Sequence, residues 1–178
     1  MEVLVAAALG ALVLAAVGSL ALYGTRSSMA LTNYTDLDAK SRHALDLMSR
    51  QIREATAVTA FETNLPTKSL TLTDTRHSIT FKVIYDSNAR TMVFEQTGQP
   101  DQTVLRGCDR WDFSLFQRTP HVTATNVLYY PATNSAGMLD PSLCKLINMS
   151  WKCSRTIMGQ KANTETVQTA QIVLRNKQ

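Results

Sequence analysis

The sequence predicts an α+β chain in which one long N-terminal helix, membrane-spanning in its first half and amphipathic in its second, packs on an antiparallel β-sheet. Three observations lead there. Residues 3–24 carry no charge and no proline, and 18 of those 22 positions are apolar. Apolar residues from Ala30 to Ala55 then recur at steps of three and four, with no proline before Pro66. From Ser69 onward the period changes to two. A length of 178 residues suits one compact domain with an appendage. The charged share of 18% lies below the roughly 25% of an average soluble domain, which argues against disorder.

The apolar run reads VLVAAALGALVLAAVGSLALYG. At about 1.5 Å per residue it is roughly 33 Å long, enough for a bilayer core of about 30 Å. The apolar region of a cleaved secretory signal is usually about 7–15 residues behind a basic start. Here the run is longer and nothing basic precedes it, so residues 3–24 are expected to stay as a transmembrane segment. Glu2 stands at its edge, where a carboxylate is costly unless it stays among headgroups or meets a cation. Arg26 follows the run and no Lys or Arg precedes it. Taken alone, that asymmetry places the C-terminal part in the cytoplasm. A basic segment upstream of Met1 reverses the orientation.

The helix is expected to continue to about Ala57, spanning roughly 85 Å. Ala30, Leu31, Tyr34, Leu37, Ala44, Leu45, Met48, Ile52 and Ala55 form one stripe. The opposite face is charged, and Asp36–Lys40 and Asp46–Arg50 have the favourable acid-first spacing of four. Residues 1–57 thus make the helix and 58–178 the sheet domain. Strands are expected at 70–73, 77–85, 90–96, 102–106, 110–118, 145–153 and 166–175, with mostly loop over 119–142 and a turn over 159–163. Ile79, Phe81, Val83 and Tyr85 share a face, as do Trp111, Phe113 and Leu115, then Ile147, Met149 and Trp151, then Ala170, Ile172 and Leu174. One apolar face results, and the amphipathic half-helix is its natural cover.

This order of elements resembles the type IV pilins and the pseudopilins of type II secretion. Met1-Glu2-Val3-Leu4-Val5-Ala6 is similar to their prepilin motif G-F-T-L-I-E-V-L-V-A, with Met1 in the place of Ile and Glu2 on the glutamate. The stretch SRHALDLMSRQIREA over 41–55 is similar to the helix end of PilW-like minor pilins and J-type pseudopilins. IVLRN over 172–176 is similar to the close of PilW-type chains. The resemblance is specific over 1–57, architectural in the middle and short at the end. The sequence departs from the family in lacking the basic leader, the cleavage-site glycine and the first mature residues. A start assigned at an internal methionine is the simplest account, and a leader upstream supplies the positive charge that the orientation rule wants.

The resemblance implies a structural subunit, held in the inner membrane by 3–24, with its sheet domain in the periplasm or on the cell surface. Its partners are then other pilin or pseudopilin subunits, and prepilin peptidase if a leader exists upstream. Glu2 is implied to pair with the N-terminal amine of a neighbouring subunit, which relieves two buried charges at once and fixes register. Small residues, among them Ala8, Gly10, Ala11 and Gly18, allow close helix approach in lipid or in a filament core.

Little points to catalysis. His43, His77 and His121 lie far apart in sequence and outside any metal-ligand spacing. There is no phosphate loop, GxSxG or HExxH, so neither an enzyme nor a cofactor is expected. Alternation makes Trp111 a core residue and leaves Asp109, Arg110 and Asp112 as solvated ends. The net charge of +4 is spread thinly and gives no nucleic-acid groove. The alternative function is a single-pass anchored binding module of the cell envelope. Cys144 and Cys153 bound one expected strand, which at about 3.3 Å per residue puts them near 30 Å apart. A Cys108–Cys153 disulfide is possible only with a bulge or an irregular Cys108, because Trp111 opposite Trp151 puts the two cysteines on opposite faces.

Overall fold

A computed structural model describes residues 1–118, 129–157 and 165–175. The chain opens with helix α1 (Glu2–Glu54). It ends where Ala55 turns extended, at φ −60° and ψ 142°, while its N–H still bonds Gln51 O at 3.0 Å. The β-branched residues that follow favour a strand. Thr56 N–H donates to Thr73 O at 2.9 Å and opens the first ladder.

Two antiparallel sheets follow, where the periodicity suggested one. The first is a meander of β1 (Ala57–Glu62), β2 (Thr67–Asp74), β3 (Ile79–Asp86), β4 (Thr91–Gln96) and β5 (Gln102–Arg106), in that spatial order. The second holds β6 (Cys108–Arg118), β7 (Tyr129–Pro131), β8 (Leu146–Ser154) and β9 (Glu165–Val173), ordered β7-β6-β8-β9. A short 3-10 turn (Pro141–Leu143) precedes β8. Only Gly107 separates β5 from β6, so the chain passes from one sheet to the other through one residue.

The inward faces are those the alternation indicated. Phe81, Val83, Tyr85, Trp111, Leu115, Ile147, Met149, Trp151, Ile172 and Leu174 are buried, with Ile79, Phe113 and Ala170 packed against them. The two sheets meet where the Tyr85 and Trp111 rings pack edge-on, 6.5 Å between centroids. The second half of α1 lies against β9 and β5 and closes the core with Leu37, Ser41, Ala44, Met48 and Ile52.

Three expectations are corrected and one is refined. The helix stops at Glu54, not near Ala57, and strand β1 takes the next residues. Its register shifts between Val58 and Ala60, and that bulge erases the period-two pattern by which a strand is recognised. The stripe on α1 begins at Leu37. Leu31 and Tyr34 remain 66% and 48% exposed, because the sheets do not reach that high on the helix. The segment 119–142, expected to be mostly loop, includes the three-residue β7, which pairs with the end of β6, and its residues 119–128 lie outside the described residues. Asp36–Lys40 forms its ion pair at 3.0 Å, whereas Asp46 and Arg50 make none among the described residues; Arg42–Asp38 pairs instead at 2.9 Å. The turn expected over 159–163 lies outside the described residues.

Candidate functional site

The candidate site is the free half of α1. Every residue from Met1 to Met29 is exposed. One segment of the helix is long and apolar enough to cross a membrane, and none of that window is buried within the chain. Two of its hydroxyls bond back to the helix itself. Ser19 Oγ donates to Ala16 O at 2.8 Å, and Thr25 Oγ1 to Ala21 O at 2.9 Å. Such back-bonds let hydroxyls lie in lipid without an unmet donor.

Glu2 lies in the first turn of the helix and, among the described residues, forms no ion pair. Ala8, Gly10, Ala11 and Gly18 are all exposed, and a Cβ added at Gly10 or Gly18 meets nothing within 4 Å. The fold of this chain therefore makes no use of their small size. Whatever close approach they permit is made with lipid or with another molecule.

Below the free half, the helix is clamped to the sheets by polar contacts. Asp36 pairs with Lys40 at 3.0 Å and with Arg155, whose Nη1 also reaches Asn33 Oδ1 at 3.4 Å. The Lys40 hydrogen bond and then that of Arg155 hold the Asp36 carboxyl below its usual range. One turn further down, the fully buried Ser41 hydroxyl accepts from Trp151 Nε1 at 3.4 Å. The same hydroxyl contacts the Cys153 thiol, so Ser41 ties the helix to two side chains of β8.

The seam between the sheets carries three charged groups that the sequence left as solvated ends. Asp109 pairs with Arg90, whose guanidinium also donates to Ser154 O at 3.2 Å and Ser154 Oγ at 3.1 Å. Lys68 from β2 donates to Trp111 O at 2.9 Å and to Asp112 Oδ1 at 2.8 Å, and Arg110 adds a second contact to Asp112. Burial pushes the Asp112 carboxyl up, but the bonds from Lys68 and Arg110 outweigh it and the net shift is downward. Tyr85 is pushed up to about 12 by burial first, then by Cys108 and Asp109. These groups join strands across the seam, so their geometry serves the cohesion of the two sheets.

The remaining sequence candidates scatter. His43 is exposed, His77 stands beside Asp74 at the β2–β3 turn, and His121 lies outside the described residues. Cys108 and Cys153 are brought directly opposite each other on β6 and β8. Sequence reasoning missed Lys68 and Arg90, since polar residues at the ends of an alternating run look solvated until a second sheet covers them, and it missed Ser41, whose one signal is its place between Leu37 and Ala44 at helical spacing. It also missed Gly107, whose only signal is a glycine between two strand-like runs.

No protein-family model matches the chain, nor does any curated protein or solved structure. The class therefore rests on the fold: an α+β chain whose long apolar N-terminal helix lies on antiparallel sheets, an arrangement compatible with a pilin-like fold.

Proposed function

We propose that this chain is a minor pilin or pseudopilin, a structural subunit that assembles through its N-terminal helix into a type IV pilus or a type II secretion pseudopilus. The observation that carries the reading is the division of α1. One unbroken helix is exposed and apolar from Met1 to Met29 apart from Glu2 and a few polar residues, then buries one face from Leu37 to Ile52. A plain membrane anchor has no need of rigid continuity with the domain below it. A filament subunit does, because its apolar half leaves lipid and packs among neighbouring helices in fixed register.

In this reading residues 3–24 hold the subunit in the inner membrane until assembly, with the sheets in the periplasm or at the cell surface. Glu2 meets the N-terminal amine of a neighbour, where each charge compensates the other in an apolar core. Ala8, Gly10, Ala11 and Gly18 let that neighbour come close. Prepilin peptidase acts on the chain if a leader lies upstream of Met1.

The decisive experiment is the mass and sequence of the N-terminal peptide of the protein from native membranes. A methylated phenylalanine a few residues before Met1 is the expected result. A mature start at Met1, or just after Gly24, overturns the proposal and leaves an anchored or released binding domain as the better reading.

A further inference from the structure

We propose that Cys108 and Cys153 are a disulfide site: with an oxidised small thiol as electron acceptor they close an intrachain bond that ties β6 to β8 beneath α1, with Cys144 outside the bond.

Strand register brings the two cysteines together. Along β6 and β8, Phe113 faces Met149 and Trp111 faces Trp151. Continued evenly, that ladder would leave Cys108 on the outer face. The register shifts between Cys108 and Arg110, however, so Asp109 is an extra residue and Cys108 becomes the Cα partner of Cys153. The bulge turns Cys108 inward and releases Asp109 toward Arg90. Directly opposed residues on antiparallel strands have Cα atoms about 4.5–5.5 Å apart, within the span a disulfide bridges. Gly107 O accepts from Ser154 N–H at 2.9 Å and pins the strands just beyond the pair.

In the structure Cys108 and Cys153 are two thiols in hydrogen-bond contact, not yet joined, and their surroundings would accept a bond. Both cysteines are wholly buried. The strongest influence on each thiol is the other, and the Cys108 thiol is pushed up by that neighbour and by burial. Its one further bond is weak, from Sγ to Arg110 O at 3.4 Å. No metal-holding group of His, Cys, Asp and Glu exists among the described residues to claim the pair. Cys144 caps the 3-10 turn at the opposite end of β8, where its Sγ donates to Leu146 O at 3.5 Å.

The chemistry balances with oxidised glutathione. One cysteine thiolate attacks its disulfide, forming a mixed disulfide and expelling a glutathione thiolate. The second cysteine thiolate attacks the protein sulfur of that intermediate and expels the other glutathione. Two protein thiols thereby lose two electrons and two protons, and the glutathione disulfide becomes two thiols. Because both sulfurs are buried in the finished fold, the exchange belongs to folding or to partial opening.

The inference stands on strand register and holds whether or not the chain is a pilin. Its test uses the full chain in detergent, reduced, opened in urea with oxidised and reduced glutathione, and returned to native buffer. Remaining thiols are alkylated and the digest is mapped by mass spectrometry. A single cross-linked species joining the peptides of Cys108 and Cys153, with the alkyl group on Cys144, is expected. Cys144→Ala retains that species and Cys153→Ser abolishes it. A bridge that includes Cys144, or alkylation of all three thiols in chain that has regained its native circular dichroism, overturns the proposal.

Discussion

Gly107 occupies the single position between the two sheets with φ +75°, and a Cβ there would lie 2.8 Å from Ser154 O. The obstacle is backbone, already fixed by the Ser154 N–H bond to Gly107 O, so it cannot swing aside. Gly107→Ala is expected to destabilise the fold by about 2–4 kcal/mol from left-handed strain and this clash together. Urea unfolding of the two proteins measures it, and a loss under about 1 kcal/mol would mean the sheets part easily here. Asp112 makes a pH prediction. Its folded value lies below 3.8, so its contribution to stability is complete above that value and drains away as pH falls through the lower folded one. Asp112→Asn should therefore lower stability at neutral pH and flatten the decline below about pH 4, leaving the shares of Asp36 and Asp74 in place. Identical acid limbs for the two proteins would remove Asp112 from the account. At the helix start, Glu2→Ala should leave folding unchanged, because Glu2 is exposed and forms no ion pair among the described residues, yet abolish cross-linking to filament subunits. Undiminished cross-linking would count against the proposed pairing.

Helix α1 shows at the level of one element how burial follows from its neighbours. Ser41, Ala44, Met48 and Ile52 follow each other at steps of three and four on the covered face. Met48 and Ile52 are 0% and 1% exposed, so Met48→Ala and Ile52→Ala should each cost about 2–5 kcal/mol. Ser41→Leu should also destabilise, by about 1–3 kcal/mol, because the space under Ser41 is filled by Trp151. His43→Ala on the opposite face should stay within about 0.5 kcal/mol. Thermal unfolding in detergent ranks the four, and an equal loss at His43 would mean that α1 is packed differently. Most strands were legible in the sequence because a half-buried strand must alternate. Strand β1 was not, since its bulge places Val58 and Ala60 out of phase. The same cause hid the facing of Cys108, whose side of the sheet depends on one extra residue. The top of the α1 stripe was misjudged for the opposite reason: Leu31 and Tyr34 keep the period, but no sheet reaches them.

At the scale of the whole molecule, the chain divides into a core shared by α1 and both sheets and an apolar rod that the core leaves untouched. The exposed rod predicts membrane association. The protein should stay in the pellet after alkaline extraction of membranes. The double change Leu12→Asp with Val13→Arg, at a cost of about 5–7 kcal/mol near the bilayer centre, should shift it toward the supernatant. Release of the unchanged protein would show that the rod is covered by something other than lipid. The sequence alone determined the long helix, its apolar first half, the change to strands and the inward face of most of them, because hydropathy period is a local property that burial imposes on every turn and pleat. It also carried Glu2 and the small residues of the candidate site. Only the tertiary structure decided that the strands form two sheets, that Lys68 and Arg90 hold their seam, that Ser41 lies buried, and that Cys108 faces Cys153. Each of those depends on which residues meet across long stretches of chain, and a bulge of one residue is enough to change the answer while leaving composition and period almost untouched.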